Sequence, residues 1–194
     1  MPCKYIYLLS NEHDYRVMDH IRKKLGLVHV YTGNGKGKTT ASMGLGFRAS
    51  GRGLNVLMIQ FLKPDGRYGE HIASEQMENF TILPMGVDFR FTDSPSENDK
   101  KVAQETLAFA KERIYSGKYD LVILDEANVA MSLKLIDPQD LIDMLKGRPE
   151  NVEIVLSGRG APASIIEYAD LVTEMKLIKH PFDRGIGARK GIEF

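Results

Sequence analysis

The feature that most constrains the fold of this chain is a glycine-rich segment between two apolar stretches. Residues 27–31 read Leu-Val-His-Val-Tyr, and these β-branched and aromatic residues predict a buried strand. Residues 41–49 are small and apolar and contain no proline, which predicts a helix packed closely on a sheet. Between them, residues 32–40 read Thr-Gly-Asn-Gly-Lys-Gly-Lys-Thr-Thr, with Thr32 where the usual motif has its first glycine. Strand, loop and helix together indicate a phosphate-binding P-loop.

The residue types in this loop suit a bound phosphate. Gly33, Gly35 and Gly37 permit backbone angles that turn successive N–H groups toward an anion. The N-terminus of the following helix points at the same place. Lys38 adds a positive charge, and the Thr39 hydroxyl can ligate a Mg²⁺ held by the phosphate oxygens. The alternative, a glycine-rich turn with incidental lysines, is disfavoured because the strand, loop and helix patterns agree.

Length and composition narrow the class of protein. The chain has 194 residues, enough for one domain with a sizeable core, and its formal net charge is zero. A neutral balance predicts neither a nucleic-acid nor a membrane partner. Cys3 is the only cysteine, so an internal disulfide and a cysteine metal site are excluded, which fits a cytoplasmic location. The apolar run at residues 5–9 is too short for a signal peptide or a membrane span.

Strands and helices alternate along the chain. Strands are predicted over residues 27–31, 55–61, 80–83, 119–124, 152–157 and 171–177, and helices over residues 14–25, 41–49, 67–79, 96–116, 137–147 and after 162. The fold class predicted is α/β: a three-layer, P-loop NTPase-like (RecA-like), mostly parallel sheet with helices on both faces. Residues 27–194 form a single nucleotide-binding domain in this interpretation. Residues 1–26 are an N-terminal arm, either an ordinary outer helix or a lid over a ligand or a neighbouring subunit.

Several polar side chains follow predicted strands directly. Gln60, Asp125, Glu126 and the segment Ser-Gly-Arg at 157–159 all stand where a strand ends. In parallel sheets ligands bind beyond the carboxyl ends of the strands. We therefore expect these residues to meet the P-loop in one crevice.

Asp125 completes a second nucleotide-site motif. It follows four apolar residues, 121–124, which is the Walker B pattern of a carboxylate directed at the Mg²⁺ that Thr39 ligates. Glu126 is placed to bind the metal directly or through water, or to position an attacking water. A strand that merely ends in acidic residues is the alternative, and the upstream P-loop favours the metal role. These motifs indicate Mg-nucleotide binding without naming the reaction.

The chain resembles the ATP:corrinoid adenosyltransferases of the cobalamin pathway. The resemblance extends over residues 27–194. Its strongest part is the P-loop combined with Lys-His-Pro-Phe-Asp at 179–183. The similar segments are residues 33–40, 56–63, 121–126, 157–160, 172–175, 179–183 and 191–194.

The resemblance implies a transfer to cobalt. The Co(I) centre of a reduced corrinoid would attack the 5′ carbon of ATP, which lies reversed in the P-loop, and inorganic triphosphate would leave. The product would serve adenosylcobalamin synthesis or salvage. No serine, cysteine or histidine constellation for covalent catalysis is evident, and this reaction needs none, because cobalt is the nucleophile. Lys36, Lys38 and Mg²⁺ suit the neutralisation of the leaving triphosphate.

The motifs and the resemblance together predict the site residues. The predicted catalytic residues are Lys38, Thr39 and Glu126, and the predicted Mg²⁺ ligands are Thr39, Asp125 and Glu126. The predicted nucleotide contacts are Gly33, Asn34, Gly35, Lys36, Gly37, Lys38, Thr39, Thr40, Arg48 and Arg159. Phe89, Phe91 and His180 are the predicted corrinoid contacts. Family members often carry a Phe and a Trp on the loop that faces the corrinoid. This chain has no Trp, and Phe89 and Phe91 are the nearest substitutes in that loop.

The resemblance also implies partners, and other interpretations compete with it. A homodimer and an electron-donor protein such as a flavodoxin are expected from the family. One competing class is another P-loop ATPase or a small-molecule kinase, although no arginine-rich lid segment is evident. The other is a non-catalytic nucleotide- or corrinoid-binding module. The phosphate product separates them, since triphosphate marks the transferase and phosphate or ADP marks a hydrolase or kinase.

Overall fold

The computed structural model describes residues 18–64, 66, 68–87 and 94–193. The strands are β1 (Val28–Thr32), β2 (Val56–Gln60), β3 (Phe80–Pro84), β4 (Leu121–Asp125), β5 (Glu153–Ser157) and β6 (Leu171–Glu174). The helices are α1 (Lys38–Ser50), α2 (Gly69–Ser74), α3 (Glu97–Tyr115), α4 (Ala127–Ser132), α5 (Pro138–Lys146) and α6 (Ala163–Tyr168), with a 3₁₀ turn at Pro181–Arg184.

The six strands form one parallel sheet in the order β3-β2-β4-β5-β1-β6. Apolar side chains on successive positions of the central strands enter two cores. In β4, Val122 and Leu124 pack under α3 to α6, whereas Leu121 and Ile123 pack under α1. The predicted three-layer α/β fold is confirmed. Within the described ranges, no helix combines the length and the apolar character that crossing a membrane would need.

The strand order aligns the elements that carry the site motifs. The P-loop strand β1 is separated from β4 by β5. Tyr31 pairs with Ser157 across β1 and β5, and Gln60 pairs with Asp125 across β2 and β4. The carboxyl ends of four strands therefore lie along one edge of the sheet, as the motif positions predicted.

Helix signals in the sequence located two helices well. Ser96 caps α3, where its side chain accepts from the N–H of Asp99 while the Asp99 carboxylate accepts from the N–H of Ser96. Asp137 caps α5 by accepting from the N–H of Gln139, with Pro138 in the first turn. Reciprocal capping satisfies backbone donors that the helix itself leaves unpaired, which is why these short patterns were informative.

The largest differences from the predicted elements concern α2, α4 and β6. Helix α2 is confined to Gly69–Ser74 within the predicted 67–79, and α4 was not predicted at all. Strand β6 ends at Glu174 instead of residue 177. Beyond Glu174 the chain turns over the P-loop, where the N–H of Gly35 donates to the carbonyl of Met175 at 2.6 Å. A contact with a segment about 140 residues away decides this end, not the local apolar pattern.

The described part of the N-terminal segment packs on the sheet. Residues 18–22 are helical, and Met18, Ile21 and Leu25 join the core under α1. Arg22 donates to Asp120 at 2.8 Å, just before the start of β4, so this segment is anchored near the amino ends of the strands. The predicted strand at residues 5–9 lies outside the described residues. A lid role for the arm stays a prediction.

Two glycines on α1 give a matched test of how closely this helix packs. A Cβ on Gly46 would lie 2.7 Å from Cζ of Phe80 and 3.2 Å from Cδ1 of Ile123, whereas a Cβ on Gly44 would meet nothing within 4 Å. We expect Gly46→Ala to lower the free energy of unfolding by about 1–3 kcal/mol because the contact is overpacked. Gly44→Ala should raise it by about 0.5–1 kcal/mol, since alanine favours helix. Denaturant unfolding measures both, and effects of the same sign would contradict the packing.

Candidate active site

The glycines of the P-loop serve both its conformation and its close packing. Gly33 and Gly37 have φ angles of 95° and 115°, in the region that favours glycine. A Cβ on Gly33 would lie 2.5 Å from the carbonyl oxygen of Met175, and a Cβ on Gly35 would lie 2.7 Å from the carbonyl oxygens of Met175 and Lys176. In this structure the N–H of Gly35 is bonded to the carbonyl of Met175, so it is not free for the predicted cradle of loop N–H groups.

Lys38 begins α1 and points back into the loop. Its Nζ donates to the carbonyl oxygens of Gly33 at 2.8 Å and Gly35 at 2.6 Å. The side chain is buried, and burial lowers the pKa of Lys38, although the carboxylate of Glu126 opposes that effect. The loop thus holds an ammonium group at the place where an anion is predicted to bind.

Asp125, at the end of β4, is fully buried and joins three strands to the P-loop. Its Oδ1 accepts hydrogen bonds from the hydroxyls of Thr39 at 3.0 Å and Ser157 at 2.5 Å. Its Oδ2 accepts from Nε2 of Gln60 at 3.2 Å and lies 3.6 Å from Nζ of Lys63. The predicted approach of the P-loop threonine to the Walker B aspartate is present in the structure.

Glu126 presents a carboxyl group with an unused oxygen. Its backbone has a φ of 61°, and its Oε2 is buried with no hydrogen-bond partner among the described residues. Burial and the charge of Asp125 raise the pKa of Glu126 to about 7, against the opposing charges of Lys63, Lys38 and Arg159. A strained backbone and an unpaired buried carboxyl are features that cluster at functional sites.

The oxygens near the P-loop suit a magnesium ion that is shared with substrate phosphates. They do not suit a metal held by protein ligands alone. No group of three or more His, Cys, Asp or Glu side chains in the described ranges is arranged to hold a metal. Mg²⁺ usually takes one or two carboxylates and fills its remaining positions with substrate phosphates and water. The Thr39 hydroxyl and Asp125, which lie in hydrogen-bond contact, and the neighbouring Glu126, which lines the cavity, are oxygen donors of this kind next to the P-loop.

A cavity of about 630 Å³ opens over this site, between the P-loop and α2. One wall carries cationic side chains, those of Lys36, Lys38, Lys63 and Arg159. The charges of Asp125 and Glu70 outweigh the effect of burial on Lys63 and raise its pKa. The lining also contains the acidic residues Glu70, Glu126 and Glu193. Its apolar part is formed by Met43, Phe47, Ala73, Met77, Phe80 and Ile82. The cavity therefore suits a ligand with an anionic part and an apolar part.

Comparison with known proteins shows which family this chain belongs to. A family model described as ATP:corrinoid adenosyltransferase BtuR/CobO/CobP matches residues 24–194. A corrinoid adenosyltransferase of Sinorhizobium sp is 38% identical over 172 residues, which cover 87% of this chain and 80% of that protein. A corrinoid adenosyltransferase of Escherichia coli (strain K12) is 33% identical over 170 residues, covering 87% of this chain and 86% of that protein. The chain belongs to the ATP:corrinoid adenosyltransferase family.

A solved structure resembles the fold of this family member. The flagellar accessory protein FlaH from Methanocaldococcus jannaschii superposes with a TM-score of 0.50 at 10% sequence identity, covering 82% of this chain and 76% of that one. At this identity the likeness concerns the fold alone.

The structure brings most of the predicted site residues of this adenosyltransferase together. Those that line the cavity are Asn34, Gly35, Lys36, Gly37, Lys38, Thr39, Thr40, Glu126, Arg159 and His180. Gly33 and Asp125 lie beneath them and reach the site through Lys38 and Thr39. Arg48 is exposed in the last turn of α1 and is not among the lining residues. Phe89 and Phe91 lie outside the described residues.

The C-terminal segment of the adenosyltransferase also reaches the cavity. Nζ of Lys36 bonds to Oε1 of Glu193 at 2.6 Å, and residues 191–193 line the cavity. Arg189 and Lys36 together lower the pKa of Glu193 to about 2. The family resemblance included residues 191–194, but only the tertiary structure shows that Glu193 contacts Lys36 of the P-loop.

Sequence reasoning missed the residues behind the oxygens that are predicted to bind a metal. Lys63 and Glu70 form an ion pair at 3.3 Å, and His71 bonds to Gln60 at 2.7 Å. Lys63 follows β2 closely in sequence, so its position near a strand end was a usable signal. His71 lies on a helix only six residues long, and no local pattern in the sequence marks it.

The raised pKa of Glu126 predicts a pH dependence of stability without added metal. In the folded protein Glu126 loses its proton near pH 7, whereas its ordinary value is 4.5. Between these values the folded state holds more protons than the unfolded state, so the free energy of unfolding decreases as pH rises through this window. Glu126→Gln should remove this part of the dependence. Denaturant unfolding at several pH values tests it, and parallel curves for the two proteins would contradict the assignment.

Proposed function

We propose that this protein transfers the 5′-deoxyadenosyl group of MgATP to the Co(I) centre of a reduced corrinoid and releases inorganic triphosphate. The reaction would serve adenosylcobalamin synthesis or salvage. The observation that carries the proposal is the P-loop cavity, with Lys38 in the loop and Thr39 bonded to Asp125. It occurs in a chain that matches the corrinoid adenosyltransferase family model over residues 24–194.

In this reaction the protein needs only to position ATP and the corrinoid and to neutralise the charge of the leaving triphosphate. A bond forms between cobalt, which brings the electron pair, and the 5′ carbon of ATP. The bond from that carbon to the triphosphate oxygen breaks, and triphosphate leaves with its electrons. Lys36, Lys38 and Arg159 line the cavity and are placed to stabilise the developing charge. No protein nucleophile is required, because the corrinoid substrate supplies it.

The proposed magnesium site consists of Thr39, Asp125 and Glu126. When bound there, Mg²⁺ would neutralise negative charge on the triphosphate oxygens. Asp125 and Thr39 already lie in hydrogen-bond contact, so the chain holds these two oxygens side by side. The free Oε2 of Glu126 provides a further oxygen, and Glu126 would bind the metal as the deprotonated carboxylate.

The remaining nucleotide and corrinoid contacts are proposed without assigning them to particular ligand atoms. Gly33, Asn34, Gly35, Gly37 and Thr40 belong to the loop that would surround the triphosphate. Arg48 is proposed as a nucleotide contact on the family resemblance. His180 lines the cavity, where its Nδ1 accepts from the N–H of Phe182 at 3.2 Å, and it is proposed with Phe89 and Phe91 to contact the corrinoid.

Two further proposals rest on the family resemblance alone. They are a homodimer and an electron-donor protein such as a flavodoxin that delivers the reducing electron. A cytoplasmic location is proposed because Cys3 is the only cysteine. Residues 27–194 are proposed to form the catalytic domain, with residues 1–26 as an arm that closes over a ligand or a neighbouring subunit.

An anaerobic assay with MgATP and chemically generated cob(I)alamin tests the reaction. We expect loss of the Co(I) absorbance, formation of a photolabile adenosylcorrinoid and release of triphosphate. Lys38→Met should lower kcat/KM by about 10²–10³-fold, because a buried charge is lost from the site of the leaving group. Lys118→Met is the control, since Lys118 is exposed just before β4, at the amino ends of the strands, and it should stay within about twofold.

The product decides between the competing functions. Orthophosphate or ADP without alkylation of cobalt would overturn the proposal in favour of a P-loop hydrolase or kinase. Nucleotide binding without turnover in the presence of cob(I)alamin would indicate a binding module.

A further inference from the structure

Behind Asp125 lies a chain of buried polar groups that the proposed reaction does not itself use. Gln60, at the end of β2, is fully buried, and its Nε2 donates to Oδ2 of Asp125 at 3.2 Å. Its Oε1 lies 2.7 Å from Nε2 of His71, a buried residue of α2. His71, Gln60 and Asp125 thus form one continuous path that ends at the oxygens proposed for magnesium.

The hydrogen-bonding chemistry of this path has a direction. A glutamine amide has donors on one side and an acceptor on the other. Asp125 needs the NH₂ group, so the carbonyl of Gln60 must face His71 and accept a hydrogen there. His71 therefore carries a proton on Nε2, and its buried Nδ1 has no partner among the described residues, which favours the neutral Nε2–H tautomer.

Loss of the His71 donor would remove what holds the amide in this orientation. A flipped Gln60 would turn its carbonyl oxygen toward the carboxylate of Asp125. Oδ2 would lose its hydrogen-bond donor and keep only the ammonium of Lys63 at 3.6 Å. Oδ1 would keep its bonds to Thr39 and Ser157, and the carboxylate could then rotate about that side, which would move Oδ2. The position of the Asp125 carboxylate, and of the Thr39 hydroxyl bonded to it, therefore depends on which group donates and which accepts at each step from His71 to Asp125.

We propose that His71 is a positioning residue which, through the amide of Gln60, holds Asp125 in the orientation that binds the metal of the nucleotide complex. The inference rests on the proposed magnesium site. It gives a function to α2 beyond its place in the cavity wall, where Gly69, Glu70 and Ala73 lie on the lining side.

A purely structural histidine is the competing explanation, and the chain offers a matched control for it. His29 is also a poorly exposed histidine whose Nε2 bonds to a side-chain oxygen, that of Glu153 at 2.7 Å. It lies on β1 near the amino ends of the strands, away from the P-loop. His29→Leu therefore removes a comparable hydrogen bond without touching the path to Asp125.

The test measures the affinity of the protein–ATP complex for Mn²⁺ by electron paramagnetic resonance, without corrinoid. We expect His71→Leu to weaken Mn²⁺ binding about 5–20-fold, and His71→Gln, which keeps a donor, to stay within about threefold of the wild type. His29→Leu should lower thermal stability without changing the Mn²⁺ affinity. Unchanged affinity in His71→Leu, or equal losses in His71→Leu and His71→Gln, would overturn the proposal.

Two further measurements isolate the path itself. If His71 acts through Gln60, then His71→Leu should have little additional effect on Mn²⁺ affinity in a Gln60→Met background, and additive losses would overturn the proposal. In the wild type, ¹⁵N chemical shifts of the His71 ring should report the neutral Nε2–H tautomer, so an Nδ1–H form would overturn it even if every variant failed to fold.

Asp125→Asn separates this inference from the magnesium proposal. If the wild type binds Mn²⁺ and Asp125→Asn does not, the metal site stands and the His71 variants decide the positioning role. If Asp125→Asn binds Mn²⁺ as well as the wild type, both the magnesium site and the role of His71 are overturned.

Discussion

The arrangement of the whole site depends on the burial of one carboxylate. A charged carboxyl group withdrawn from water costs several kcal/mol unless hydrogen bonds and opposite charges replace its hydration. Asp125 has no exposed surface, and its hydration is replaced by the hydroxyls of Thr39 and Ser157, the amide of Gln60 and the ammonium of Lys63. Each donor belongs to a different element, so the elements must come together for the carboxylate to be tolerated.

This requirement links the P-loop to the sheet. The parallel order places β5 between β1 and β4, so Ser157 bridges the strand of the P-loop and the strand of Asp125. Lys38 and Thr39 follow directly, since both stand in the first turn of α1. Gly46 then lets the same helix approach Phe80 and Ile123 closely enough to keep that turn on the sheet edge.

Some of this architecture was accessible from local patterns. Helix α5 was predicted because Asp137 and Pro138 form a start signal, and α3 was predicted from Ser96 and Asp99. The P-loop and the Walker B aspartate were found because glycines, a lysine and a carboxylate stand at strand ends, and strand ends in a parallel sheet meet. Helix α4 and the end of β6 were missed, since both are decided by contacts with distant segments.

The sequence by itself determined the alternation of strands and helices, the P-loop and the family, because these depend on periodicity and on short motifs in which each residue has a local role. Only the tertiary structure decided which side chains stand behind those motifs. His71 contacts Gln60 from a different element, and Lys36 contacts Glu193 from a segment 157 residues away. The buried Oε2 of Glu126 has no hydrogen-bond partner among the described residues. The physical reason is that buried polar groups are satisfied by whichever partners the packed elements bring within hydrogen-bond distance, and no local pattern records that distance.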